Sequence, residues 1–267
     1  MPDINPVLGI FSLYHELPGE FTNRFSTVEQ KWFDQYRPIR KDTIFHSSLS
    51  LVDEGFQKTL EQQHAFDIIR KYHIRRFSFD IGPCYSHVEI KENRYFGIGG
   101  RLTISDIHAL CAKRISWLRD KLPRDCEISI ENLNYYDTGA YEDVCDPAFY
   151  NDICEKYSLG LVLDLAHAQV TAHNKKESSV EHLKRFNRNA IREFHLSKIS
   201  VLSEDLAIDA HALPDRSEFQ LMYELIEDSP LSYDVVIEFW FATKPLMAAY
   251  DALKVFLNEK NQDHPAA

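Results

Sequence analysis

Four carboxylates and four histidines in this chain stand where short apolar runs end or in the segments that follow them, and together they have the chemistry of a metal centre. Thr43-Ile44-Phe45-His46 closes on an imidazole, and Glu127-Ile128-Ser129-Ile130-Glu131 closes on a carboxylate followed by Asn132. Leu161-Val162-Leu163-Asp164 is followed three residues later by His167, and Ile191-Arg192-Glu193-Phe194 leads to His195. Asp209-Ala210-His211 is expected in the loop after it, and Val235-Val236-Ile237 leads to Glu238. Taken singly, each has a plain structural reading: a histidine after an apolar run is more often a rim histidine than a ligand, and Asp164 or Glu131 could cap a helix or join an ion pair. Jointly they cost too much to bury around one opening unless something positive compensates them. All eight are nitrogen or oxygen donors. They are too many for one tetrahedral zinc and suit two or three carboxylate-bridged metals; iron, manganese and zinc all remain open on donor type.

The elements that must bring them together alternate. β-rich runs at 7–13, 43–48, 75–81, 127–131, 159–165, 191–196 and 235–239 are separated by stretches of helical period, such as Ile104, Ile107, Leu110, Cys111, Ile115 and Leu118. Asp146-Pro147 offers a helix cap followed by proline at the first helical position. The last helix carries Leu246, Met247, Tyr250, Leu253, Phe256 and Leu257 on one stripe. Near-continuous apolar strands alternating with helices predict a parallel sheet covered by helices. Seven strands are evident and an eighth is expected within 26–33. A length of 267 residues then favours a (β/α)8 TIM barrel formed by one domain over 1–267. No Gly-x-Gly-x-x-Gly follows a strand, which counts against a dinucleotide-binding sheet, and a barrel gathers its active site at the strand C-termini, where these ligands stand.

Composition narrows the partners. With 30 Lys and Arg against 41 Asp and Glu the net charge is −11, a field that repels phosphate backbones, so no nucleic acid is expected. No apolar run approaches the length of a membrane span and the first residues do not resemble a signal peptide, so no membrane partner and a cytoplasmic location are expected. Five cysteines, Cys84, Cys111, Cys126, Cys145 and Cys154, fit reduced buried thiols better than a disulfide framework.

The order of these residues resembles the metal set of the xylose-isomerase-like barrel superfamily. More specifically, Phe45-His46, Ile130-Glu131-Asn132, Leu163-Asp164, Phe194-His195-Leu196, Asp209-Ala210-His211 and Ile237-Glu238 resemble the multinuclear non-heme iron-dependent oxidative enzymes, which include the methanobactin-biosynthesis iron enzyme. The resemblance implies two or three irons of mixed ferrous and ferric state and dioxygen as co-substrate. It also implies a cysteine-containing precursor peptide and a small partner protein that binds its leader. The reaction would oxidise a peptide cysteine, for example to an oxazolone–thioamide pair. The implied ligands are His46, Glu131, Asp164, His195, Asp209, His211 and Glu238, with Asp209 and His211 central to catalysis. Two departures stand out. Asp164-Leu165-Ala166-His167 replaces the family's Asp-x-Asn-Asn, so His167 is expected to stand in for the asparagine ligand. Phe79-Asp80-Ile81 lacks the histidine of the family's Ser-Glu-His or Ser-Asp-His string, and His87 is the candidate to enter the third site from a loop, a surface histidine being an equally good reading.

Lys198 could reach the mouth to attract a carboxylate or superoxide, Asn132 could orient a ligand, and Tyr135 and Tyr136 could line the opening; an exposed lysine and rim aromatics are the plainer readings. Three rival functions are weighed against this one. A sugar isomerase or epimerase needs only Glu131, Asp164, His195 and Glu238 and leaves the other ligands unexplained. An endonuclease IV-like metallohydrolase would use nearly the whole set, yet the charge opposes a grip on duplex DNA. A scaffold protein would hold no stoichiometric metal.

Overall fold

The computed structural model describes residues 2–10, 16–31, 43–92 and 94–263. In chain order the elements are β1 (Asp3–Ile10), α1 (Gly19–Thr22), β2 (Val28–Lys31), β3 (Thr43–Ser50), α2 (Phe56–Gln62), α3 (Ala65–Tyr72), β4 (Arg76–Asp80), β5 (Val88–Lys91), β6 (Arg94–Gly97), α4 (Ile104–Lys121), β7 (Glu127–Glu131), α5 (Pro147–Tyr157), β8 (Gly160–Asp164), α6 (Leu165–Asn174), α7 (Ser179–Lys184), β9 (Ile191–Leu196), β10 (Lys198–Ser203), β11 (Leu206–Ala212), α8 (Arg216–Ile226), β12 (Ser232–Ile237) and α9 (Thr243–Asp263). Eight parallel strands close a barrel in the order β1-β12-β9-β8-β7-β4-β3-β2. This is the (β/α)8, xylose-isomerase-like architecture. The eighth strand is β2, inside the expected 26–33, and residues 32–33 lie outside the described residues. The first strand begins earlier than the apolar run suggests, at Asp3, and positions 11–13 of its expected span are likewise outside them.

The strands are not the near-continuous apolar runs expected; they alternate. Along β7, Ile128 and Ile130 join the main core under the helices, whereas Glu127, Ser129 and Glu131 share the other face. The same period sets Phe77 and Phe79 of β4 against Arg76, Ser78 and Asp80, and Phe194 of β9 against Glu193 and His195. The barrel lumen is therefore largely polar. Val7, Ile44 and Val236 form a small apolar cluster separate from the main core. At the N-terminal end, Arg76 reaches Glu193 and Asp234, each at 2.9 Å, and Arg75 reaches Asp234 at 2.7 Å, a charged floor below the ligands. Gly160 is required where β8 passes β7, since a Cβ there would stand 2.4 Å from Ser129 Oγ.

Two antiparallel hairpins, β5–β6 and β10–β11, are built outside the barrel. Asp209 and His211 thus ride on strand β11, not on the irregular loop expected. Asp146 caps α5 by accepting from Ala148 N at 2.8 Å, with Pro147 following, as the sequence indicates. All five cysteines are free and buried. Among the described residues no helix is long and apolar enough to cross a membrane.

Candidate metal centre

Four strand ends converge. Glu131 of β7, Asp164 of β8, His195 of β9 and Glu238, one residue past β12, are all buried, and each offers one ligand atom within 4.8 Å of the others. Two further groups share members with this one: His46, Asp80 and Glu131 on one side, and Glu29, Glu193 and His195 on the other. Glu131 links the first pair of groups directly, with Oε1 2.8 Å from His195 Nδ1 and Oε2 3.2 Å from His46 Nε2. A carboxylate with one oxygen in each of two ligand groups is the arrangement that bridges cations.

Neighbouring groups fix which ring nitrogen faces inward. Ser78 Oγ donates to the Phe45 carbonyl and lies 3.0 Å from His46 Nδ1, so that nitrogen carries the proton and Nε2 turns to Glu131. His167 Nδ1 donates to the Asn132 carbonyl at 2.7 Å, leaving Nε2 directed at Asp209 Oδ2, 3.4 Å away. At His195 the Nε2–Glu29 contact of 2.8 Å points Nδ1 at Glu131 and Glu238. Asn132 exchanges two hydrogen bonds with the backbone of Asp164, accepting from its N at 2.8 Å and donating to its O at 3.0 Å. Asp164 itself caps α6, one oxygen accepting from His167 N at 2.7 Å.

The β10–β11 hairpin completes the site from above. Asp209 Oδ2 is 2.9 Å from His211 Nε2, while Oδ1 accepts from Ser197 Oγ at 3.3 Å and from His211 N at 3.1 Å. His211 takes a left-handed backbone with φ 42°, which turns its ring back over the barrel, where Nδ1 lies 3.6 Å from Glu238 Oε2. The Trp240 ring packs against it, centroids 4.1 Å apart. Above these residues opens a cavity of about 480 Å³ whose walls include Tyr95, Tyr136, Tyr141 and Trp240, with Asp80, His167, Asp209 and His211 at its base.

Electrostatics match a site that receives cations. Burial, reinforced by Glu131, pushes the Asp80 carboxyl up to about 7, and burial with the nearby Asp209, Glu238 and Glu131 carboxylates raises Asp164 to about 7 even though His167 opposes it. Burial works the same way on Glu29 and Glu238, yet Lys31 and His195 outweigh it and hold each down at about 2. His167 and His195 are raised well above the ordinary imidazole value: burial opposes their charge, and Asp164 for the one and Glu29 for the other overcome it. Asp164 Oδ2, Asp80 Oδ1 and His211 Nδ1 are buried and make no hydrogen bond. Bare buried donors of nitrogen and oxygen, crowded enough to keep two carboxyls protonated near neutrality, fit divalent or trivalent metal ions.

The structure brings His46, Glu131, Asp164, His167, His195, Asp209, His211 and Glu238 to one mouth. It does not bring His87, whose side chain is 62% exposed beside Glu54 and Ser86. Lys198 is engaged elsewhere, ion-paired with Asp215 and 3.8 Å from Glu218. Tyr136 lines the cavity and its hydroxyl accepts from Asp209 N, whereas Tyr135 turns to Glu142. Sequence reasoning missed Glu29, Lys31, Asp80 and Glu193. The signal that finds them is the two-residue period, which sets Glu29 and Lys31 on one face of β2, Asp80 on the face of Ser78, and Glu193 on that of His195.

Comparison with known proteins agrees with this geometry. The fold matches an apo 3-keto-D-glucoside 4-epimerase from E. coli (TM-score 0.62, 11% identity, 96% of this chain and 100% of that one) and a xylose isomerase domain-containing protein from Salmonella typhimurium LT2 (0.59, 11%, 89% and 90%). It also matches the D-psicose 3-epimerase of Clostridium cellulolyticum H10 (0.55, 9%, 98% and 96%). At these identities the likeness is one of fold. No curated protein matches the sequence. The sequence model for the RiPP precursor modification enzyme MbnB/TglH/ChrH matches residues 85–252, more than half of the chain and the stretch bearing all but one of the converging ligands proposed from sequence. The chain therefore belongs to the MbnB/TglH/ChrH family of RiPP precursor-modifying enzymes.

Proposed function

We propose that this protein is a multinuclear iron oxidase that uses dioxygen to modify cysteine residues of a ribosomally made precursor peptide, working as one barrel domain in the cytoplasm with a small partner that holds the peptide's leader. The observation that carries the reading is the sharing of ligands: Asp164 belongs to the group with Glu131, His195 and Glu238 and, with Oδ2 3.9 Å from His167 Nε2, also stands beside His167, Asp209 and His211. One metal needs no such sharing. His167, Asp209 and His211 would hold a neighbouring ion, with Asp164 between the two positions. Bound iron would supply a seat for a cysteine thiolate and the electrons that dioxygen takes up.

The chain's own residues prepare that chemistry. Ser78, Asn132 and Glu29 hold the rings of His46, His167 and His195 in single orientations, so no imidazole must turn when a cation arrives. Tyr95, Tyr136, Tyr141 and Trp240 give the cavity aromatic walls that suit a peptide segment and keep bulk water from the buried carboxylates. Its volume of about 480 Å³ accommodates a few residues, not a folded domain. The group Glu131, Asp164, His195 and Glu238 alone would serve a single-metal sugar epimerase, but His167, Asp209 and His211 would then be surplus.

Replacing Asp209 or His211 by Ala tests the proposal. Iron content of anaerobically purified protein should fall, and oxygen uptake in the presence of peptide should stop. Retained uptake at unchanged iron content would refute it, and Mössbauer spectroscopy would report the mixed ferrous and ferric states directly.

A further inference from the structure

Among the described residues one lysine lies inside the ligand set. Lys31 pairs in register with His46 across β2 and β3, so the two side chains enter the lumen side by side. Its Nζ is 2.6 Å from Glu238 Oε1 and 3.6 Å from Glu29 Oε1, and only 12% of the side chain is exposed. An ammonium buried at a metal centre competes with the ions for the same carboxylates, and its effect can be counted. Glu193 is already matched by Arg76 at 2.9 Å. With every carboxylate ionised, as three bound ions would require, Glu29, Asp80, Glu131, Asp164, Asp209 and Glu238 remain among the described residues, six negative charges that the Lys31 ammonium reduces to five. Three divalent ions carry six and would leave the mouth with excess positive charge, where surrounding protein excludes the water that would screen it. The corner nearest Lys31 along the sheet offers three ligands, His46, Asp80 and Glu131, one fewer than the group of Glu131, Asp164, His195 and Glu238, and His87, the one other histidine expected there, stands exposed elsewhere.

Resting on the multinuclear reading above, we propose that Lys31 is a tethered cation in the charge place of a third metal. The chain fills two metal positions, one at Glu131, Asp164, His195 and Glu238 and one at His167, Asp209 and His211, and keeps the His46–Asp80–Glu131 corner free of metal. The test is a metal count, independent of turnover. Ferrous iron is added anaerobically in excess, unbound iron is removed by gel filtration, and iron per chain is measured by mass spectrometry. Wild-type protein should retain two irons, Lys31→Arg two, and Lys31→Met three; Lys31→Met with Asp80→Asn should return to two. Three irons in the wild type, or two in a Lys31→Met variant whose circular dichroism matches wild type, would overturn the inference while leaving the multinuclear reading intact. A wild-type count of one or none would overturn both. If Lys31→Met does not fold, Asp80→Asn alone decides: a count still at two supports the inference, and a fall to one refutes it.

Discussion

Stripping the metal should make this protein lose stability as the pH rises, the reverse of what most acidic proteins do. In the metal-free chain Asp80 and Asp164 are each raised from an ordinary 3.8 to about 7. Between those values the folded state holds protons that the unfolded chain has released, so folding free energy is lost as pH climbs through that window. His46, His167, His195 and His211 are raised as well, and a raised imidazole contributes stability present below its unfolded value of 6.5 and lost above it, which acts in the same direction. Glu29 and Glu238, held down at about 2, act only below 4.5 and leave the window untouched. Between pH 5 and pH 8 each aspartate crosses only about two pH units below its folded value, so at roughly 1.4 kcal/mol per unit it could contribute about 3 kcal/mol at most. The two share Glu131 as a repelling neighbour, so about that much is expected from the pair together. Urea unfolding of chelated protein at pH 5 and pH 8 measures it. Asp164→Asn, which keeps the helix cap, should remove about half of the slope. Metal-loaded protein should show the opposite trend, because binding expels those protons. A chelated protein whose urea midpoint stays level or rises between pH 5 and pH 8 would refute the account of these carboxyls.

Asn132→Ala removes both hydrogen bonds to the Asp164 backbone, leaving a buried donor and acceptor unpaired; a loss of about 2–5 kcal/mol in denaturant unfolding and a roughly 10- to 100-fold weaker metal affinity by anaerobic titration are expected. Lys198→Met should leave iron content and peptide-dependent oxygen uptake unchanged, because its ammonium pairs with Asp215 and Glu218 and not with the ligands; a several-fold fall in uptake would restore it to the mechanism.

The barrel and the convergence of Glu131, Asp164, His195 and Glu238 are readable in the sequence because each of these residues ends a run whose neighbours are apolar. β2 is harder. Val28-Glu29-Gln30-Lys31 has no apolar run, and its strand character comes from pairing with Leu8–Ile10 and Thr43–His46, contacts distant in sequence. Glu29 and Lys31 therefore pass unnoticed although both point at the metal centre. Asp80 is hidden for another reason: a search for a histidine at that strand end passes over a carboxylate that offers the same coordination from the same place. His87 misleads because sequence distance says nothing of the hairpin that starts right after it and carries it away from the mouth. The Asp209–His211 string is legible as a pair of ligands, but its strand is not, since β10 and β11 pair as strands with each other and not with the barrel.

That separateness has an evolutionary side. Asp209 and His211 hang from an appendage clamped to the body by Asn174, which accepts from Ala207 N at 2.7 Å and donates to Ala207 O at 3.1 Å. The chassis and the attachment can accordingly diverge at different speeds. Lengthening or exchanging the appendage would re-aim two donors while every strand of the closed sheet stayed in place, so one inherited scaffold can be refitted for new products by editing a short insert.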